Sequence, residues 1–201
     1  MSREMLVVPY NEVWADLYNA EKEMLASVFK ERILDIQHFG STAIKGMSAK
    51  PIIDIMIVVD DIDQIDRYDE LMERKGYSAR GENGIVGRRY YVKLDPDNSG
   101  NHTHHIHIYQ KGNSHISEEL MFRDYLRQDR QSFKEYEQIK LEASLKYRHS
   151  PKDYVEAKSD CIMRIMDKST IRLLEKLAEG EKSASEEGWI SADDVEGMLG
   201  L

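Results

Sequence analysis

Apolar positions follow a helical period at the start of the chain and a strand period soon after. Val13, Leu17, Met24 and Val28 fall on one stripe of an amphipathic helix over residues 11–29, with Trp14, Tyr18, Leu25 and Phe29 beside them. Asn11 stands where its N-cap belongs. A strand follows over residues 33–39 and breaks at Gly40-Ser41, and Lys45-Gly46 marks a further turn. Pro51 to Val59, PIIDIMIVV, is the clearest strand: it is apolar on both faces, as a central strand covered on two sides must be, and Asp54 is its only charge. Asp61 then caps a helix over residues 62–75 that ends at Gly76. Two further strands, residues 86–94 and 104–109, flank the turn-rich DPDNSGN and read as an antiparallel hairpin with a long loop. Beyond residue 115 the period is helical, over residues 116–128, 130–148 and 152–178, with Ser150-Pro151 between the last two. This order of elements predicts an α/β (α+β) protein: a mixed β-sheet flanked by helices, with a helical C-terminal part.

A chain of 201 residues fits one domain over residues 1–178, followed by an acidic linker at 180–190 and a short helix over 191–199 capped by Ser191 and Asp194. Trp189, Ile190, Val195 and Leu199 offer that tail an apolar surface for docking or for homo-oligomer formation. No run approaches the ~20 apolar residues of a membrane span. The opening MSREMLVVPY lacks an apolar signal core, and Cys161 is the single cysteine, so the expected compartment is a reducing cytoplasm. Cys161 lies among Ile162, Ile165 and Met166 and reads as a small core residue. The net charge of −9 disfavours nucleic-acid backbones as partners. Most of the excess lies in the tail, however, and residues 1–180 carry about −4, which leaves the body open to a small anion.

The candidate chemistry begins at Gly40-Ser41. Glycine lets a phosphate approach the backbone, and serine adds a hydroxyl and an oriented N–H, although a Gly-Ser pair is also an ordinary turn. Asp54 is harder to read as neutral structure, because a carboxylate in an apolar strand is costly unless paired or bound to a metal. Four of the seven histidines lie within residues 102–107. Alternation in HHIHIY puts His105, His107 and Tyr109 on one face and Ile106 and Ile108 on the other. The two imidazoles then share a metal with Asp54, hold a phosphate or act as acid and base; the alternative is two histidines on a solvated sheet face. Cationic groups for a phosphate are Lys50, Arg89, Arg123 and Lys158, with Tyr91 as a ring for stacking. Ordinary helix-surface pairing equally accounts for Arg123, and helix packing for Tyr154 and Lys158.

The stretch HFGSTAIKGMSAKPIIDIMI, the strand HHIHIY, the segment FRDYLR at 122–127 and the Tyr154/Lys158 pair together resemble the GrpB-like family of the nucleotidyltransferase superfamily, over residues 6–168. That resemblance implies a nucleotidyltransferase-like fold and a nucleotide-type site at the Gly-Ser turn. It further implies strand carboxylates, in an Asp-x-Asp or Asp-x-Glu pair, that hold two magnesium ions for transfer to a nucleophile. The pair is incomplete, since position 56 is Met56 and a thioether is a poor ligand for a hard cation. Three readings follow. One is a metal-dependent nucleotidyl or phosphoryl transferase acting on a nucleotide or other phosphate-containing small molecule, with magnesium or manganese as cofactor. Another is a non-catalytic ligand-binding or partner-stabilising module, as similar domains fused to a coenzyme A biosynthesis kinase suggest. The third is a histidine-assisted hydrolase with zinc or manganese held by Asp54, His105 and His107.

Overall fold

A computed structural model describes residues 4–95, 97 and 101–188. Helix α1 (Val13–Phe29) leads into β1 (Ile33–Phe39), and a single 3-10 turn at Ser41–Ala43 begins the return to β2 (Ile53–Val59). A 3-10 segment (Ile62–Tyr68), α2 (Asp69–Arg74), β3 (Tyr77–Ala79), β4 (Arg88–Leu94) and β5 (His102–Gln110) complete the sheet region. Helices α3 (Ser114–Gln128), α4 (Arg130–Lys146) and α5 (Pro151–Glu187) follow. The sheet runs β1-β2-β5-β4-β3, with β2 and β5 parallel and every other pair antiparallel, so it is mixed.

Both faces of the sheet are covered, which is why the central strands are almost wholly apolar. Ile53, Ile55, Ile57 and Val59 of β2 and Ile106 and Ile108 of β5 pack against Trp14, Leu25, Val28 and Phe29 of α1 and against Ile65 and Met72. On the other face Met56, Phe39 and Tyr109 pack against Ile116 and Leu120 of α3. Ile44, Met47, Leu126, Phe133, Tyr136, Cys161 and Ile165 join the last three helices beside them. Helices α3 and α4 start on side-chain caps: Asn113 accepts from the His115 N–H, and Asp129 from the Ser132 N–H. Asn11 likewise accepts from the Val13 N–H at 3.1 Å.

The sequence-derived elements differ from the structure in three places. Residues 62–75 form a 3-10 segment followed by one short α-helix, not a continuous helix. The three-residue strand β3 was too short for a periodic signal. The linker reading fails at residues 180–187, where α5 continues for 37 residues in all. Glu181, Lys182, Ala184 and Glu186 are good helix formers, and Gly180 alone costs only ~1 kcal/mol. The helix ends at Gly188, whose φ of 89° suits a glycine. The tail helix at 191–199 and its apolar residues lie outside the described residues. Among those described, no helix is long and apolar enough to cross a membrane.

Ile57 sits fully buried in the central strand, touching the α1 layer. Truncation to alanine leaves a cavity that this rigid position cannot refill. Ile57→Ala is expected to cost about 2–5 kcal/mol, read as a lower midpoint of urea unfolding at unchanged slope.

Candidate functional site

The candidate cleft, about 470 Å³, opens where β1, β2 and β5 meet the last three helices. Gly40 follows β1 with φ 67°, ψ −172°, a conformation that side-chain-bearing residues rarely adopt. It is also sterically closed: a Cβ there would lie 2.6 Å from Asp54 Oδ2. The glycine therefore lets the turn press directly against the carboxylate of the next strand. Parallel register sets Asp54 beside His105 and Met56 beside His107. His105 Nδ1 donates to Asp54 Oδ1 at 3.1 Å, and its Nε2 lies 2.9 Å from His102 Nδ1. Burial alone would raise the Asp54 pKa, but the His105 hydrogen bond and nearby positive charge, including Lys50, outweigh it and hold the carboxyl below its ordinary value.

His107 is wedged between rings. Phe39 meets it edge-on at 4.9 Å, Tyr90 does the same at 4.9 Å, and Arg88 Nη1 donates to its Nδ1 at 3.3 Å. Burial pushes its pKa down to about 3, against the pull of Asp54, so the ring is neutral and the Nδ1 lone pair that accepts from Arg88 is the one it could offer a metal. Glu119 reaches in from α3. Burial, with the negative charges of Asp54 and Glu118, lifts its pKa to about 7.

The opposite wall is cationic. Lys140 Nζ lies 4.9 Å from the Tyr136 ring, Lys158 Nζ 4.5 Å from the Tyr154 ring, and Lys50 Nζ 5.1 Å from that same ring. Lys140 is almost wholly buried and donates to the Ser48 carbonyl at 2.6 Å. Burial lowers its pKa to about 7, with the Lys158 charge adding to the effect. Lys158 is pushed down to about 8 by burial and then by Lys50.

Of the residues singled out in the sequence, Gly40, Ser41, Lys50, Asp54, His105, His107 and Lys158 line this one cleft. Arg89, Tyr91 and Arg123 do not. Arg89 pairs with Asp66 through Nη2 at 3.1 Å, and Tyr91 donates to Asp69 at 2.6 Å, both on the α1–α2 side of the sheet. The reason is the hairpin register: Tyr90 stands opposite His107 and Val92 opposite His105, so even-numbered residues of β4 share the cleft face. The cleft arginine is Arg88. Arg123 is buried and ties α3 to β1 through the Gln37 side chain and the His38 carbonyl, at 3.1 and 2.8 Å. Glu119, Tyr136 and Lys140 carried no strand or turn signal, but Tyr136/Lys140 repeats the Tyr-x-x-x-Lys spacing of Tyr154/Lys158 on the neighbouring helix.

A family model described as GrpB protein matches residues 4–168. The chain belongs to the GrpB family. It is 43% identical to the UPF0157 protein YqkA of Bacillus subtilis over 161 residues, 80% of this chain and 46% of YqkA. The chain thus spans less than half of that relative. It is 32% identical to glutamate-rich protein GrpB of Alkalihalophilus pseudofirmus over 82% of this chain and 95% of that protein. The crystal structure of GrpB from Enterococcus faecalis superposes with a TM-score of 0.78 at 33% identity, covering 84% of this chain and 99% of that one. The mixed sheet with helices on both faces is therefore the architecture that this GrpB-family chain shares with a solved relative.

Gly40→Ala forces a strained φ and an oxygen–carbon clash together, and is expected to destabilise by about 1–3 kcal/mol. In the Asp54→Ala background the clash with the carboxylate disappears, so a double-mutant cycle in urea should show a smaller penalty there; equal penalties would disprove the contact.

His38 titrates away from the cleft. Its ring stacks on Tyr18 at 4.7 Å and its Nε2 donates to Thr42 Oγ1 at 3.0 Å, since that hydroxyl is itself donating to the Ile52 carbonyl. Burial lowers its pKa to about 4. The unfolded chain binds a proton near pH ~6.5 where the native ring does not. Its contribution is therefore intact above that pH and is lost progressively as pH falls towards 4. His38→Gln should show a shallower fall of unfolding free energy between pH 7 and 5 than wild type, measured by urea titration.

Proposed function

We propose that this protein binds a phosphate-bearing small molecule, a nucleotide or nucleotide-containing metabolite, in the Gly40-Ser41/Asp54 cleft. The observation that carries this reading is the convergence of Lys50, Lys140 and Lys158 on two tyrosine rings at the wall facing Asp54. Like charges drawn together out of water repel and lose hydration. A polyphosphate relieves both penalties at once, by supplying negative charge and acceptor oxygens to each ammonium. Ser41 adds a hydroxyl donor at the turn, and Gly40 keeps the backbone approachable. The chain carries −9 overall, yet this cleft concentrates cations, so the local field draws in an anion that the whole protein would repel.

Met56 favours binding without turnover over nucleotidyl transfer. The fully buried thioether occupies the strand position where the transferase pattern needs its second acid. The transfer reading rests on Asp54 and Glu119 as the carboxylates of the cleft.

Calorimetric titration of chelator-treated protein with tripolyphosphate, ATP, UTP and coenzyme A tests the proposal. Binding of at least one of them is expected, weakened about tenfold or more in Lys50→Met and in Lys158→Met, as for loss of a charged hydrogen bond. No heat with any of the four overturns it. Release of pyrophosphate from a bound triphosphate would select transfer over simple binding.

A further inference from the structure

Two magnesium ions on a pair of strand carboxylates do not fit the residues present. Met56, two residues along β2 from Asp54, is fully buried against Phe39 and Tyr109. What stands beside Asp54 instead is imidazole: His105 in direct register and His107 one alternation further. One carboxylate with two imidazoles is a weak set for magnesium, which demands oxygen ligands, and a good one for borderline first-row metals.

We propose that Asp54, His105 and His107 form a single-ion centre for a transition metal of the zinc class, in place of a magnesium pair. This deepens the reading of the same cleft as a phosphate site without depending on it. One ligand atom from each residue already lies within 4.8 Å of the others. Ligands on one zinc ion stand roughly 3.4 Å apart, so side-chain rotations of about an ångström close the shell. The ion takes the position of the proton that His105 Nδ1 shares with Asp54, and it displaces Arg88 from His107. The surroundings favour that exchange. A metal-bound imidazole needs a partner for its other nitrogen, and His102 Nδ1 stands 2.9 Å from His105 Nε2. The edge contacts of Phe39 and Tyr90 fix the plane of His107. Gly40, where a Cβ would lie 2.6 Å from Asp54 Oδ2, gives the carboxylate a seat that no other residue type allows. Three protein ligands leave a fourth position open towards the lysine wall, where a phosphate oxygen completes the coordination. Metal and anion then strengthen one another's binding by the same factor.

The test uses full-length chelator-treated protein in phosphate-free buffer, so that it succeeds or fails independently of the anion site. Cobalt(II) is titrated as the visible probe, then displaced with zinc and challenged with magnesium. One equivalent with tetrahedral or five-coordinate d–d bands is expected, displaced by zinc and retained against a hundredfold excess of magnesium. Asp54→Asn, His105→Gln and His107→Gln should each weaken binding by about tenfold or more, whereas His149→Ala, at an exposed position that does not line the cleft, should leave it unchanged. Unaltered affinity in all three cleft variants, or displacement by magnesium as readily as by zinc, overturns the proposal. Should a variant fail to fold, long-range proton–nitrogen NMR of zinc-titrated wild type decides: ring-nitrogen shifts at His105 and His107 support the centre, and shifts confined to other histidines refute it.

Discussion

Asp54 lies beside His105 because β2 and β5 run parallel through the middle of the sheet with that pair in register. Parallel strands need a long crossover, and here the chain from Val59 to His102 supplies it with the 3-10 segment, α2 and the β3–β4 hairpin. A strand in that position is covered on both faces over most of its length, and its one charged side chain lies where the cleft opens. That side chain, Asp54, pairs with His105, and the Gly40 turn closes over its other oxygen. A one-residue slip would turn Ile53 and Ile55 towards the cleft and drive Asp54 into the α1 layer. The register that builds the core is the same register that assembles the site.

The cleft is electrically divided. Asp54 and Glu119 stand near the histidines, with Arg88 on His107, and Lys50, Lys140 and Lys158 crowd the helical wall. Each group is uncomfortable alone: burial and then Asp54 raise Glu119, while burial and then a neighbouring lysine lower Lys140 and Lys158. A cation on one side and a polyanion on the other would neutralise both strains together. That division of charge, more than the size of the cavity, is what sets this cleft apart from an ordinary surface depression.

Much of this was legible in the chain because its strongest signals were strand signals. An apolar strand interrupted by one aspartate, a Gly-Ser break just before it, and alternating histidines identify the residues without knowledge of their partners. What escaped depends on tertiary choices. The face of β4 that meets the cleft is decided by pairing with β5, so Arg89 and Tyr91 were indistinguishable from Arg88 and Tyr90 until that register was known. Glu119 and Lys140 sit on helices whose charged positions look like ordinary solvated surface. Only docking of α3 on the sheet and of α4 against α5 and the loop before β2 buries them. Residues 180–187 depart from the expected linker for the opposite reason: the segment is polar but rich in helix formers, and polarity alone does not mark irregular chain.

Met56 belongs to the packing of the sheet and not to the polar lining of the cleft. At that position a carboxylate would have to be desolvated beneath Phe39 and Tyr109, in an apolar cluster that holds α3 against the sheet. A thioether stabilises the same contacts without polar demand. Once position 56 belongs to the core, the nearest place for additional ligands is the adjacent strand, and β5 presents imidazoles there at the two matching positions, His105 beside Asp54 and His107 beside Met56. The imidazoles of the adjacent strand therefore stand beside Asp54, while the Gly40 turn closes over the carboxylate from the other side.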